Sequence, residues 1–163
     1  MELAIDAHIR PILAQVSDPE IPVLSIMEMG VVRAAKLLNG IVEVTITPTY
    51  SGCPAMDVIG DDIKKILKEH GYQAVVKLVL APAWTTDWIT EKGRKALKKY
   101  GIAPPLEPSA DAAVLLGGQK KVCCPQCNST NTKMISQFGS TACKALFQCE
   151  DCLEPFDYFK CLK

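Results

Sequence analysis

Two Cys-x-x-Cys pairs, Cys124-Pro-Gln-Cys127 and Cys149-Glu-Asp-Cys152, speak most directly of chemistry in this sequence. They are separated by 21 residues, close to the ~15–20 usual for ribbon-type zinc sites. Two residues between cysteines let a tight turn aim both sulfurs and nearby backbone N–H groups at one ion. Two such turns complete a tetrahedron with bonds of about 2.3 Å. Zinc and iron both accept four thiolates in that geometry, so the spacing alone leaves a structural zinc ribbon and a rubredoxin-like iron site open. Cys143 and Cys161 flank the pairs as possible additional ligands for a cluster or a second site, or as small buried residues at a turn and a strand end. Cys123 would form only a poorer Cys-x-x-x-Cys knuckle with Cys127 and reads as a bystander.

A different chemistry attaches to Cys53, which stands alone in the first 120 residues. In Thr47-Pro-Thr-Tyr-Ser-Gly-Cys53-Pro54 it ends a strand and opens a helix, with Pro54 at the favoured first position. Free N–H groups at a helix start lower a thiol pKa, which would make Cys53 a nucleophile or a soft-metal ligand; the alternative is a buried spacer. His8 and His70 fall on helical faces, so no catalytic histidine accompanies it. Asp18 and Glu20 bracket Pro19 in a turn, where an Asp commonly caps its own backbone. Trp84 and Trp88, four apart, read as a shared helical face or packing platform.

The elements that must position these residues follow from pattern. Residues 3–16 carry apolar residues near helical spacing and read as a helix kinked or shortened at Pro11. Two β-branched runs, 31–37 and 41–47, flank Asn39-Gly40, a strong hairpin signal. A helix is predicted from Pro54 to about Glu69, stopped by Gly71; a third strand covers 73–80, and a last helix capped by Thr90 or Thr86 ends at Tyr100-Gly101. The order αββαβα predicts an α+β domain, a small three-stranded mixed sheet with helices, over residues 1–104. Residues 105–121, with Pro105, Pro108, Gly117 and Gly118, read as a linker with one helical turn near Ala110 to Leu116. Residues 122–163 form a small β-rich zinc-ribbon domain with short strands around 133–138, 145–148 and 156–160. Its 42 residues are too few for a hydrophobic core alone. A disulfide framework would need an oxidising compartment, for which nothing in the sequence argues.

Composition narrows the functional classes. Lys plus Arg and Asp plus Glu number 18 each, twelve of each sign in residues 1–104 and six of each in 105–163, so neither domain carries a nucleic-acid footprint. No apolar run reaches the ~18 residues of a membrane span, and the first ten residues hold Glu2, Asp6 and Arg10, unlike a secretory signal. A reducing cytoplasm is the expected location.

Several longer words are similar to those of the phenylacetate-degradation PaaD family, the accessory D subunits of the ring-epoxidising phenylacetyl-CoA monooxygenase. They are Asp18-Pro-Glu-Ile-Pro-Val23, the 47–54 word, Pro82-Ala-Trp-Thr-Thr-Asp-Trp88, Phe138-Gly-Ser-Thr-Ala-Cys-Lys-Ala-Leu146 and Glu154-Pro-Phe-Asp-Tyr-Phe-Lys-Cys161. The first domain also resembles the broader metal–sulfur cluster assembly proteins. The resemblance implies a maturation role without catalysis: loading iron or an iron–sulfur cluster into the epoxidase or its reductase. Cys53 would be the transfer site with Asp18 and Glu20 beside it, and the knuckle cysteines a zinc site. One cysteine cannot hold a cluster, so a second Cys53 across a homodimer, or a ligand from the client or the ribbon, would complete it. The chain lacks the Glu-x-x-His pairs of a di-iron oxygenase.

Overall fold

The computed structural model describes residues 4–106 and 121–160. The chain divides into two compact units, Met1–Trp84 and Thr85–Lys163. The predicted linker turn at 110–116 and Cys161 lie outside the described residues.

In the first unit a four-stranded sheet runs in the order β1-β2-β3-β4. It comprises β1 (Ala4–Ile5), β2 (Val32–Leu38), β3 (Ile41–Ile46) and β4 (Gln73–Leu78). The helix expected over 3–16 is instead strand β1, parallel to β2, followed by a short helix α1 (Arg10–Leu13). Pro11 explains the shortening: it sits in the first turn of α1, where its missing N–H costs nothing, and so the helix cannot extend back through it. The sheet therefore has one strand more than the pattern predicted. The hairpin forms as expected, with β2 and β3 antiparallel and Asn39 and Gly40 at φ 50° and 81°. Both central residues thus take the positive φ that a type I′ turn requires.

Helix α2 (Ala55–Glu69) makes the crossover between β3 and β4, which pair in parallel. Ile59, Ile63 and Leu67 on α2 are fully buried, as are Val42 and Val44 on β3. Alternation explains the sheet side: in β3, Val42, Val44 and Ile46 are buried while Ile41 is exposed and Glu43 and Thr45 are half-buried. The segment between α1 and β2 is held by side chains. The Asp18 carboxylate accepts from the N–H groups of Glu20 (2.8 Å) and Ile21 (2.9 Å). Ser25 and Glu28 cap each other reciprocally, each backbone N–H donating to the other's side chain at 3.1 Å. Trp84 is buried and its indole N–H donates to the Met29 carbonyl at 2.9 Å. Thr86–Trp88 is a single 3₁₀ turn and Trp84 precedes it, so the two tryptophans share no helical face.

The second unit begins earlier than the expected boundary after residue 104. Helix α3 (Glu91–Tyr100), capped by the Thr90 hydroxyl on the Gly93 N–H (3.0 Å), leads into β5 (Ile102–Ala103). That strand pairs in parallel with β8 (Pro155–Phe159) of the ribbon. Arg94 donates to the carbonyls of Thr86 and Pro105, both at 2.7 Å, and the Leu106 N–H donates to the Tyr158 hydroxyl at 3.2 Å. These bonds bring α3 and β5 into the unit that holds the cysteine pairs. With β6 (Thr132–Ser136) and β7 (Lys144–Cys149), the sheet order is β5-β8-β7-β6. Its core gathers Ala103, Val122, Ala145, Phe147, Phe156 and Tyr158 together with Cys124 and Cys149. Phe147 stacks on Phe156 (5.9 Å between centroids) and meets Tyr158 edge-on (5.6 Å).

Candidate functional site

In the first unit the loop from β3 to α2 positions Cys53. Gly52 at φ 80° makes the turn, the Cys53 N–H donates to the Tyr50 carbonyl at 3.3 Å, and Pro54 stands immediately before α2 without a side-chain capping hydrogen bond. Cys53 is half-buried. The expectation of a lowered thiol pKa is corrected here: burial pushes the Cys53 thiol up. Hydrogen bonds from the Ala55 N–H and the Tyr50 side chain oppose the rise without cancelling it, and the charges of Glu20 and Asp18 add to it. The helix start thus supplies one N–H, which desolvation outweighs. The carboxylates of Asp18 and Glu20 are near enough to act on the sulfur, so the fold brings together three residues spread over 36 positions of sequence. Asp18 is itself buried, and its carboxylate ties the turn that carries Glu20. Sequence reasoning missed Thr47, at the end of β3. Its side-chain oxygen is buried and has no hydrogen-bond partner among the described residues. Only its place in the same word as Cys53 could have marked it.

In the second unit the sulfurs of Cys124, Cys127, Cys149 and Cys152 all lie within 4.8 Å of one another. Cys124 and Cys149 are buried, Cys127 and Cys152 exposed. A tetrahedron with bonds of about 2.3 Å has edges of about 3.8 Å. The Cys124–Cys152 and Cys127–Cys149 sulfurs are 3.7 Å and 3.6 Å apart, so the donor set fits a four-coordinate soft cation. Each knuckle is closed by backbone: the Cys124 N–H donates to the Ser129 carbonyl (2.9 Å), and the Cys149 N–H to the Glu154 carbonyl (3.0 Å). Asn128 and Leu153 take the positive φ that lets each knuckle turn, at 61° and 66°. N–H groups in turn point at sulfur. Those of Cys152 and Asp151 bring the Cys149 thiol down to about 7. The Glu154 N–H draws Cys152 down, but desolvation and the sulfurs of Cys127, Cys149 and Cys124 push it up to about 12. A polar clasp joins the knuckles: Asp151 accepts from the Ser129 hydroxyl and from the Asn131 amide (2.8 Å). The Glu150 N–H donates to the Asn131 carbonyl at 2.8 Å.

Cys143 is buried, its sulfur 3.1 Å from the Thr141 hydroxyl, and stands apart from the four-sulfur cluster; Cys123 is exposed. His8 and His70 are exposed. No helix among the described residues is long and apolar enough to cross a membrane.

The fold and the two thiol sites define a two-part protein, an iron–sulfur-assembly type of α+β domain followed by a four-cysteine β ribbon. Residues 6–78 match the family described as iron-sulfur cluster assembly protein, and residues 108–160 match the PaaD zinc beta ribbon domain. The chain belongs to the PaaD family. It is 47% identical over 156 residues to the D subunit of the putative 1,2-phenylacetyl-CoA epoxidase of Escherichia coli, covering 95% of this chain and 92% of that one. An Fe-S protein maturation auxiliary factor of Bacillus subtilis is 34% identical over 100 residues, covering 60% of this chain and 97% of that protein. Among solved structures, a domain of unknown function, DUF59, from Bacillus anthracis superposes with a TM-score of 0.52 at 28% identity. It covers 55% of this chain and 88% of that one.

Proposed function

We propose that this protein is an accessory factor that matures the phenylacetyl-CoA epoxidase complex by delivering iron or an iron–sulfur cluster to the epoxidase or its reductase. The observation that carries the reading is Cys53 at the start of α2 with the Asp18 and Glu20 carboxylates acting on it, inside a domain of the iron–sulfur assembly family. One thiol and two carboxylates are an incomplete donor set for a cluster, which suits a cargo that must be released. A second Cys53 in a homodimer, or a ligand from the client, would complete it. Cys124, Cys127, Cys149 and Cys152 would hold a resident zinc ion that supplies no redox chemistry and fastens the ribbon.

The test is Cys53→Ser in the full chain, co-expressed with the epoxidase and reductase components. The variant should keep the ribbon metal and the fold while the client's iron content and activity fall. Normal client metallation in the variant would refute the transfer site. Stoichiometric, coloured and reversibly reducible iron that survives loss of Cys53 would move the chemistry to the ribbon and support an electron-transfer role instead.

A further inference from the structure

A second group of polar and charged side chains lies at the opposite end of β7 from Cys149, built by the loop between β6 and β7. Lys144, which opens β7, and Lys160, which follows β8, are only 5% and 2% exposed. Their ammonium groups converge on that loop. Lys160 donates to the Gln137 carbonyl and stands 4.1 Å over the Phe138 ring, and Lys144 donates to the Ser140 hydroxyl at 3.3 Å. Ser140 passes the contact on, donating to the Asp157 carboxylate at 3.3 Å. Gly139 packs so close to that carboxylate that a Cβ would lie 2.7 Å from Asp157 Oδ1, and its N–H is taken by the Lys144 carbonyl at 2.7 Å. The next three N–H groups, of Ser140, Thr141 and Ala142, donate to no group among the described residues. Lys144 thus reaches the Asp157 carboxylate through the Ser140 hydroxyl, and Lys160 is held at Gln137 and Phe138 of the same loop, beside three N–H groups that donate to no described residue.

We propose that the Gly139–Ala142 loop, together with Lys144 and Lys160, is a binding site for a phosphoryl oxyanion. Successive loop N–H groups backed by ammonium groups form an anion-receptive concavity, and charge-assisted hydrogen bonds of this kind are the strong ones. Ser140 is exposed and Thr141 half-buried, so the loop is open to a ligand while the lysine stems are fixed by burial. Burial pushes the Lys160 ammonium down, a rise in its favour comes from Cys143, and a bound anion would add to that support. The site shares no residue with the four-sulfur cluster, and the inference stands independently of the maturation role.

The experiment uses the full-length, metal-loaded protein in low salt, with amide shifts followed as inorganic phosphate or ADP is added. Saturable shifts centred on Ser140, Thr141 and Ala142 are expected. Ser140→Asp places a carboxylate at the exposed loop and should weaken binding by about tenfold or more. Unchanged metal content and unchanged β7–β8 amide shifts would show that the variant is folded. Thr141→Glu should give the same loss should Ser140→Asp disturb the ribbon. Tighter binding of ADP than of phosphate would identify a phosphorylated organic ligand, and equal binding a free phosphate; either supports the site. Absence of saturable shifts, shifts centred on Lys95, Lys98 and Lys99, or binding undiminished in both variants would overturn it.

Discussion

Removing the ribbon metal should unfold β6, β7 and β8 while leaving the first unit folded. Two of the eight residues in the ribbon core, Cys124 and Cys149, also belong to the four-sulfur cluster, so a metal held there would be continuous with the core. A domain this small gains about 3–5 kcal/mol from its hydrophobic core, whereas a structural tetrathiolate metal contributes an apparent ~10–16 kcal/mol. The metal exceeds the core's whole contribution, and its loss leaves a core too small to offset chain entropy. Thiols released by the metal take up protons, so chelation should also be easier at lower pH. A chelator titration followed by near-ultraviolet circular dichroism reads the packing of Phe147, Phe156 and Tyr158. Amide exchange reads β6–β8 against β2–β4 in the same sample. Protection of β6–β8 that survives complete metal removal would refute the reasoning, since the aromatic cluster would then suffice by itself.

Other expectations follow from single contacts. Trp84→Phe leaves the Met29 carbonyl unpaired in the core and should cost about 1–3 kcal/mol, read as a lower urea midpoint with an unchanged slope. Thr90→Ala removes the cap on the Gly93 N–H and should cost about 1 kcal/mol, with no change in metal content. Gly40→Ala forces a side chain onto a φ of 81° in the hairpin turn and should destabilise the first unit by about 1 kcal/mol by the same measure. Burial and the carboxylates of Glu20 and Asp18 hold the Cys53 thiol above its ordinary 9.0, so its alkylation should still be accelerating as pH passes that value. Glu20→Gln should shift that profile to lower pH. A rate already level below pH 9.0 would contradict the assigned environment. The raised pKa also means that the protonated thiol favours the fold, a contribution present below the unfolded thiol's pKa and lost as pH rises through the folded one.

Local signals decided which parts of this fold could be read in sequence. The hairpin at Asn39-Gly40, the amphipathic run of α2 and the two Cys-x-x-Cys knuckles each carry their geometry in a few adjacent residues, and each appears where its pattern lies. The N-terminal segment misled because Leu3, Ile5 and Ile9 suit a helix by spacing, while partnership with β2, a long-range fact, makes Ala4–Ile5 a strand. The unit boundary was hidden for the same reason. Nothing local to Ile102-Ala103 announces pairing with β8, and Arg94 finds its two carbonyls through tertiary placement. The direction of the Cys53 shift was illegible because a helix start is visible in sequence and the burial around a sulfur is not.

The two thiol environments are opposite in physical design, and that difference argues for two kinds of metal use. In the ribbon, backbone N–H groups point at the sulfurs and bring one thiol down to about 7, and two of the sulfur spacings, 3.7 Å and 3.6 Å, match the edges of a tetrahedron. Such a site draws all four of its donors from one chain, so a cation held there needs no ligand from a second protein surface. Cys53 is the reverse: a single half-buried sulfur kept protonated by desolvation and by two carboxylates. In the proposed transfer role a metal there would have to displace the proton and draw further ligands from a second protein surface, and its hold would end when that surface departs. Under the proposed reading a resident ion would belong to the first environment and a transferred one to the second, a division of labour that suits a maturation factor.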